Sequence, residues 1–195
     1  MHRETMEYDV VIVGGGPSGL ATAIKFAQLN NKNNTNYSIC LLEKGSEIGA
    51  HILSGNVFQP NALDELIPNW KDLNAPLNVP VKKDKIFYFL KNIGIPVPPF
   101  VMPAMNNHGN YVISLGNLCR WLGDHAESLG VEIFPGFPAS KLLIEDDKVV
   151  GVQTGDMGIS ENGELKDANE PGINIRAKLT ILGEGCRGHL GKQLI

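Results

Sequence analysis

Three glycines in the run VIVGGGPSG, Gly14, Gly16 and Gly19, have the spacing GxGxxG. Such a turn can hold a pyrophosphate with its backbone alone. The first glycine permits the tight turn, the second lets the phosphates approach the main chain, and the third lets the helix lie close on the strand. Pro17 and Ser18 fall in the first turn of that helix, whose N–H groups and dipole favour an anion. Glu43 closes the next apolar run, ICLLE, where an acid that hydrogen-bonds ribose hydroxyls belongs once the intervening loop is allowed for. A carboxylate there repels a 2′-phosphate, which disfavours NADP and leaves FAD or NAD.

A second glycine turn, TILGEGCRG, bears on that choice. Two-dinucleotide flavoproteins return late in the chain with an apolar strand ending in an acid-glycine pair beside the flavin ribitol, and Glu184-Gly185 stands in that place. Glutamate replaces the usual aspartate, and a plain strand-end turn is the other reading. No Ser-His-Asp set, metal-spaced cluster or carboxylate pair accompanies these turns, as suits a protein whose chemistry is done by a cofactor. The three cysteines, Cys40, Cys119 and Cys186, form no CxxC pair, so a zinc or iron-sulfur site built from this chain alone is not expected.

The positioning elements follow from pattern. Val10 to Val13 is a β-branched run typical of a strand buried on both faces, and the residues to Leu29 read as a helix ended by the polar loop NNKNNTN. Ile39 to Leu42 makes a second strand, completing a right-handed βαβ unit. Residues 71–113 are proline-rich and read as short antiparallel strands and turns. A helix is expected over about Asn117 to Leu129, ended by Gly130, followed by a strand, a hairpin around EDDK, and a strand over Lys178 to Leu182. The order gives an α/β fold with inserted antiparallel strands. The chain stops at GHLGKQLI as a helix begins, and so reads as a fragment.

With 195 residues, 43% hydrophobic and 19% charged, the chain can bury one ordinary core. A net charge of −4 and the lack of a basic stripe argue against nucleic acid as partner. The N-terminus shows neither a signal peptide nor a transit peptide, and the uncharged apolar run Val10 to Ile24, broken by Gly14, Gly15, Gly16 and Pro17, is too short to span a bilayer.

The segment GAHILSGNVFQPNALDELIPNW, Gly49 to Trp70, is unusually apolar. On a helical wheel Ala62, Leu63, Leu66, Ile67 and Trp70 share one face, with Pro60 suited to the first turn. Periodicity alone favours packing of that stripe on the protein's own core.

The stretches YDVVIVGGGPSGLATAIKFAQL, LLEKGSEIGAHILSGNV, MNNHGNYVISLGNLCRWLGDHAESLGVEIFPGF, GDMGI and LGEGCRGHLGKQL resemble the N-terminal flavin-domain portion of the electron-transfer flavoprotein:ubiquinone oxidoreductase family. Only the asparagine-rich loop lies outside the likeness. The resemblance implies a Rossmann-like FAD-binding domain of the glutathione-reductase type, incomplete over residues 1–195, with an insertion at about 49–113. It further implies an oxidoreductase that passes electrons from reduced electron-transfer flavoprotein through FAD and a [4Fe-4S] cluster to ubiquinone. The expected place is monotopic, on the mitochondrial matrix face or bacterial cytoplasmic face of an inner membrane. The cluster ligands and much of the quinone site belong to the family's later part, so this stretch alone is not expected to turn over.

By position, the resemblance assigns Gly14, Gly16, Pro17, Ser18 and Gly19 to the pyrophosphate, and Glu43 with Lys44 to the adenosine ribose. Ala139 would offer backbone groups to the adenine, and Glu184 and Gly185 would approach the ribitol. It also reverses the odds on residues 49–70, which in that family face membrane and quinone: Leu63, Leu66, Ile67 and Trp70 would meet lipid. His51 would lie near the flavin, either steering a proton or as a loop histidine bonded to backbone. Arg120 is not assigned to FAD, because Ser114 and Leu115 stand where relatives often keep an arginine. Two alternatives remain: an FAD-dependent isoprenoid reductase sharing the first motif, and a non-catalytic nucleotide-binding or membrane-docking module.

Overall fold

The structure, a computed structural model, describes residues 3–53, 55–159 and 165–194. The chain opens with β1 (Thr5–Val13), α1 (Pro17–Asn33) and β2 (Ile39–Glu43). Then come β3 (Asn56–Phe58), α2 (Asn61–Leu66), the pair β4 (Ile86–Leu90) and β5 (Ile93–Val97), and β6 (Tyr111–Ile113). It continues with α3 (Leu115–Ser128), β7 (Glu132–Pro135), β8 (Ala139–Glu145), β9 (Lys148–Thr154), β10 (Met157–Ile159), β11 (Leu165–Glu170) and β12 (Asn174–Leu182). Two compact units result, residues 53–118 forming one and the remainder the other.

The larger unit is built on a six-stranded sheet in the order β7-β2-β1-β12-β9-β8. β7, β2, β1 and β12 run parallel, and β9 and β8 are antiparallel additions at one edge. The parallel centre is apolar on both faces, as such strands must be: Val11, Ile12, Cys40 and Leu41 are wholly buried. α1 buries Leu20, Ala23, Ile24 and Ala27. This is the α/β arrangement expected. α1 runs one turn further than the asparagine-rich sequence suggests, because Asn34, in the left-handed region at φ 51°, supplies a cap whose N–H reaches the Asn30 carbonyl. The β8–β9 hairpin turns on Asp146 and Asp147, both at positive φ, the conformation of a type I′ turn.

In the smaller unit β3 pairs with β6, and β4 with β5, each antiparallel. Helix α2 is a short one, ending at Leu66, so the helical stripe read over Pro60 to Trp70 extends only half as far. Its larger apolar side chains face inward, while Ala62 is exposed. Leu63, Ile67 and Trp70 are each no more than 4% exposed and Leu66 is half-buried. Trp70 donates its indole N–H to Asp64 at 2.7 Å and meets Tyr111 edge-on at 5.9 Å. The lipid-facing assignment of Leu63, Ile67 and Trp70 is therefore corrected: these residues are buried, with Ala75, Leu77, Ile113 and Leu118, inside the smaller unit. Exposed apolar surface lies elsewhere in this unit, on β4, β5 and the residues after them, where Phe89 is 72% and Phe100 83% exposed.

Candidate functional site

β1 and β2 end side by side, and the N–H of Gly14 donates to the Leu42 carbonyl at 2.8 Å. β12 ends on the other side of β1, with the Gly183 N–H donating to Val13. Three parallel strands thus deliver their carboxyl ends to one place, where open α/β sheets bind ligands. A cleft of about 340 Å³ lies there. Nine of the ten residues expected at a cofactor line it: Gly14, Gly16, Pro17, Ser18, Glu43, Lys44, Ala139, Glu184 and Gly185. His51 lies on the same wall.

Gly19, the tenth, works from behind. A Cβ at Gly19 would sit 1.9 Å from the Gly14 carbonyl oxygen, so only glycine allows α1 to approach the end of β1 this closely. Gly14 is constrained too, with φ at 107° and Gly183 O 2.5 Å from the place of a Cβ. Gly16 is the opposite case. Nothing lies within 4 Å of its missing Cβ, and no side chain caps the α1 N-terminus that it begins. A helix end with unsatisfied N–H groups, faced by a glycine with space before it, fits an anion such as a pyrophosphate.

Glu43 already has protein partners. Its carboxylate accepts the N–H of Gly15 at 2.8 Å and of Gly45 at 2.7 Å. A carboxylate has about four lone-pair sites, so two remain for ribose hydroxyls while the backbone bonds hold its orientation. The same strand end fixes the turn carrying Ala139: Glu43 O accepts from Phe137 N and Gly45 O from Gly136 N. Ala139 is buried, so it meets the cleft as small-residue backbone.

Glu184 departs from expectation. Its carboxylate turns away to accept the N–H groups of His189, Leu190 and Gly191 at 3.1–3.3 Å, and His189 Nδ1 lies 3.2 Å from it. Glutamate reaches the turn that follows, and caps it. The side chain is thereby committed to the protein, and the neighbouring Gly185, at φ 75° with open space around its missing Cβ, is the part of the pair that can meet a ligand.

Sequence reasoning missed Arg187, an exposed guanidinium on the cleft wall. The available signal was an arginine inside a glycine-rich turn that the sequence reading already directs at a cofactor. Arg120, left unassigned, pairs with Glu47 at 2.9 Å on the surface. Cys40 and Cys119 are buried, and burial pushes their thiols up to about 12 and about 11, so neither supplies a thiolate near neutrality. Among the described residues no group of three or more His, Cys, Asp or Glu side chains could hold a metal ion.

Residues 12–73 match the model of the NAD(P)-binding Rossmann-like domain. The chain is 56% identical, over its whole length, to 36% of the electron transfer flavoprotein-ubiquinone oxidoreductase of Pseudomonas aeruginosa. It is 48% identical to 32% of the mitochondrial protein of that name from Bos taurus, again over the whole chain. It thus spans about a third of the length of the curated relatives it matches. Among solved structures it is similar to a geranylgeranyl bacteriochlorophyll reductase-like protein of Thermoplasma acidophilum, with TM-score 0.69 and 24% identity over 96% of this chain and 42% of that one. A myxobacterial FAD-dependent halogenase gives TM-score 0.64 at 16% identity, over 95% of this chain and 39% of the halogenase. These two likenesses concern the fold.

Proposed function

We propose that the chain, which belongs to the electron transfer flavoprotein-ubiquinone oxidoreductase family, holds FAD in the cleft at the ends of β1, β2 and β12. In this reading the full-length protein passes electrons from reduced electron-transfer flavoprotein to ubiquinone. The observation that carries the reading is the uncapped N-terminus of α1, open at Gly16, beside the oriented carboxylate of Glu43. FAD when bound would supply the redox chemistry, taking up and releasing electrons one or two at a time.

The residues of this chain bind and orient. The α1 N-terminus and the backbone at Gly16 take the pyrophosphate, Glu43 and Lys44 the adenosine ribose, and Ala139 the adenine edge. Gly185 gives backbone to the ribitol side, and Arg187 adds positive charge at the same wall. Quinone reduction consumes protons, and His51 is an imidazole on the cleft wall that could pass one. His189, the other imidazole there, sits against Glu184. A [4Fe-4S] cluster does not fit the cysteines present: Cys40 and Cys119 are buried and Cys186 stands on an exposed turn. Cluster ligands in the full-length protein would lie outside this sequence.

Membrane association is the second part of the proposal. No helix among the described residues is long and apolar enough to cross a membrane. A monotopic attachment through exposed apolar surface meets the need, and the smaller unit offers one: Phe87, Phe89, Ile93, Phe100 and Met105 are all exposed. Extensive exposed apolar surface marks a protein or membrane interaction site, and aromatic rings suit a bilayer interface. In this reading the full-length protein lies on an inner membrane, at the matrix or bacterial cytoplasmic face.

The decisive measurement is quinone-dependent oxidation of reduced electron-transfer flavoprotein by the purified full-length protein, with the absorbance of oxidised FAD recorded on the same sample. Flavin with turnover is expected. Flavin without turnover would favour a related reductase, and no flavin at all would favour a non-catalytic module.

A further inference from the structure

The exposed hairpin has a charged neighbour with no assigned role. Lys82, Lys83 and Lys85 lead directly into β4, all three exposed, and Lys91 sits at the tip of the β4–β5 turn. Between Val81 and Asn110 these four lysines face a single acid, Asp84. The chain as a whole is acidic, at −4, so the local sign is opposite to the global one. Asp84 is occupied: it accepts the backbone N–H of Asn107 at 2.7 Å and its side-chain amide at 3.3 Å. No ion pair among the described residues involves Lys82, Lys83 or Lys85.

These lysines also share a groove with apolar side chains. A cavity of about 600 Å³ within the smaller unit is lined by Lys82, Lys83 and Lys85 together with Phe87, Met102 and Met105, and His108 also borders it. Cationic ammonium groups beside aromatic and thioether surface match one chemistry well. A phospholipid carries an anionic phosphate next to acyl chain, whereas a free phosphate would gain nothing from the phenylalanine and methionines.

We propose that this groove and its lysines bind the headgroups of anionic phospholipids, so that the hairpin selects negatively charged bilayers rather than apolar surface in general. The inference rests on the membrane part of the function proposed above and adds lipid selectivity to it. Charge complementarity fixes the occupant. Polybasic segments at a membrane gain about fivefold in affinity per lysine at an anionic surface, and salt screens that gain within a Debye length.

The test uses the full-length protein and vesicles of two compositions, pure phosphatidylcholine and a mixture with one part in three phosphatidylglycerol, read by co-sedimentation at low and high salt. Preference for the mixed vesicles by about tenfold or more at low salt, lost at high salt, is expected. The triple change Lys82→Gln, Lys83→Gln and Lys85→Gln should remove that preference while binding to phosphatidylcholine, flavin content and turnover with a soluble quinone in detergent stay as they were. Inorganic phosphate at matched ionic strength should not release the protein, and release would overturn the lipid in favour of a free-phosphate site. Equal binding to both vesicles, or a triple variant that keeps the preference, overturns this inference alone. Failure to bind either vesicle overturns it together with the membrane reading, and would mark the hairpin as a surface covered by protein.

Discussion

The two units of this chain treat apolar residues in opposite ways. In the larger unit Val11, Ile12, Leu41 and Ile175 are fully buried, and what faces the cleft is largely backbone and small residues. In the smaller unit a modest core around Leu63, Ile67 and Trp70 is closed, yet half of the exposed large hydrophobics of the described chain fall between Phe87 and Met105. A strand buried in a parallel sheet has both faces covered by its own chain, whereas a two-stranded hairpin covers neither of its own. The contrast separates a unit built around a cleft from one that leaves much of its apolar surface uncovered by its own chain.

The largest effect that could break this contrast concerns Gly19. Gly19→Ala drives a methyl against the Gly14 carbonyl, which cannot move without opening the β1–α1 turn. Loss of flavin and a destabilisation of about 3 kcal/mol or more are expected, read by flavin absorbance and thermal melting. Gly16→Ala separates fold from site, because its methyl meets no protein atom within 4 Å. Flavin affinity should fall while the flavin-free protein melts within about 0.5 kcal/mol of the unsubstituted one. Equal melting of both variants, or full flavin in Gly19→Ala, would sink the assignment.

Leu63 and Phe89 make the matching pair in the smaller unit. Leu63→Glu buries a charge at a site 4% exposed and should cost about 3–5 kcal/mol. Phe89→Ser changes a ring that is 72% exposed and should leave stability within about 0.5 kcal/mol while weakening vesicle binding. If Leu63→Glu keeps its fold and loses only vesicle binding, the original lipid-facing reading of that helix is restored and the correction fails.

The βαβ unit was legible because its information is local: the glycine spacing, the β-branched run before it and the acid ending β2 lie within 34 residues of one another. The direction of the 60–70 stripe was not. A helical stripe of leucine, isoleucine and tryptophan has the same periodicity whether a core or a bilayer covers it, and only the contacts with Asp64 and Tyr111 distinguish the cases. The hairpin was read correctly as antiparallel strands among prolines, but its exposure depends on what the rest of the unit fails to cover. Glu184 illustrates a third limit. Its capping partners are five to seven residues onward, in a turn that no propensity of the glutamate announces.

That reassignment gives a smaller effect. Glu184→Ala leaves the N–H groups of Leu190 and Gly191 without their acceptor, and Leu190 is fully buried. A loss of about 1–2 kcal/mol is expected with flavin retained. Flavin loss at unchanged stability would return the carboxylate to the cofactor.

The smallest effect lies at the far edge of the larger unit, where Arg3 forms two bonds to Asp156 and its Nη1 also donates to Gly172 O at 2.9 Å. The side-chain bond from Arg3, then the Gly172 N–H, hold the Asp156 carboxyl down at about 2 against an ordinary 3.8. A carboxyl lowered by folding stabilises the native state above its unfolded value, and that contribution is lost as pH falls from about 4 toward 2. Exposure and salt screening keep the gain small. Melting temperature measured between pH 6 and pH 2 should therefore fall slightly less steeply in Asp156→Asn than in the unsubstituted protein, with the two curves converging at the acid end and flavin binding at pH 7 unchanged. Parallel curves through that window would show that the pair fixes the conformation of the strand end without contributing to stability.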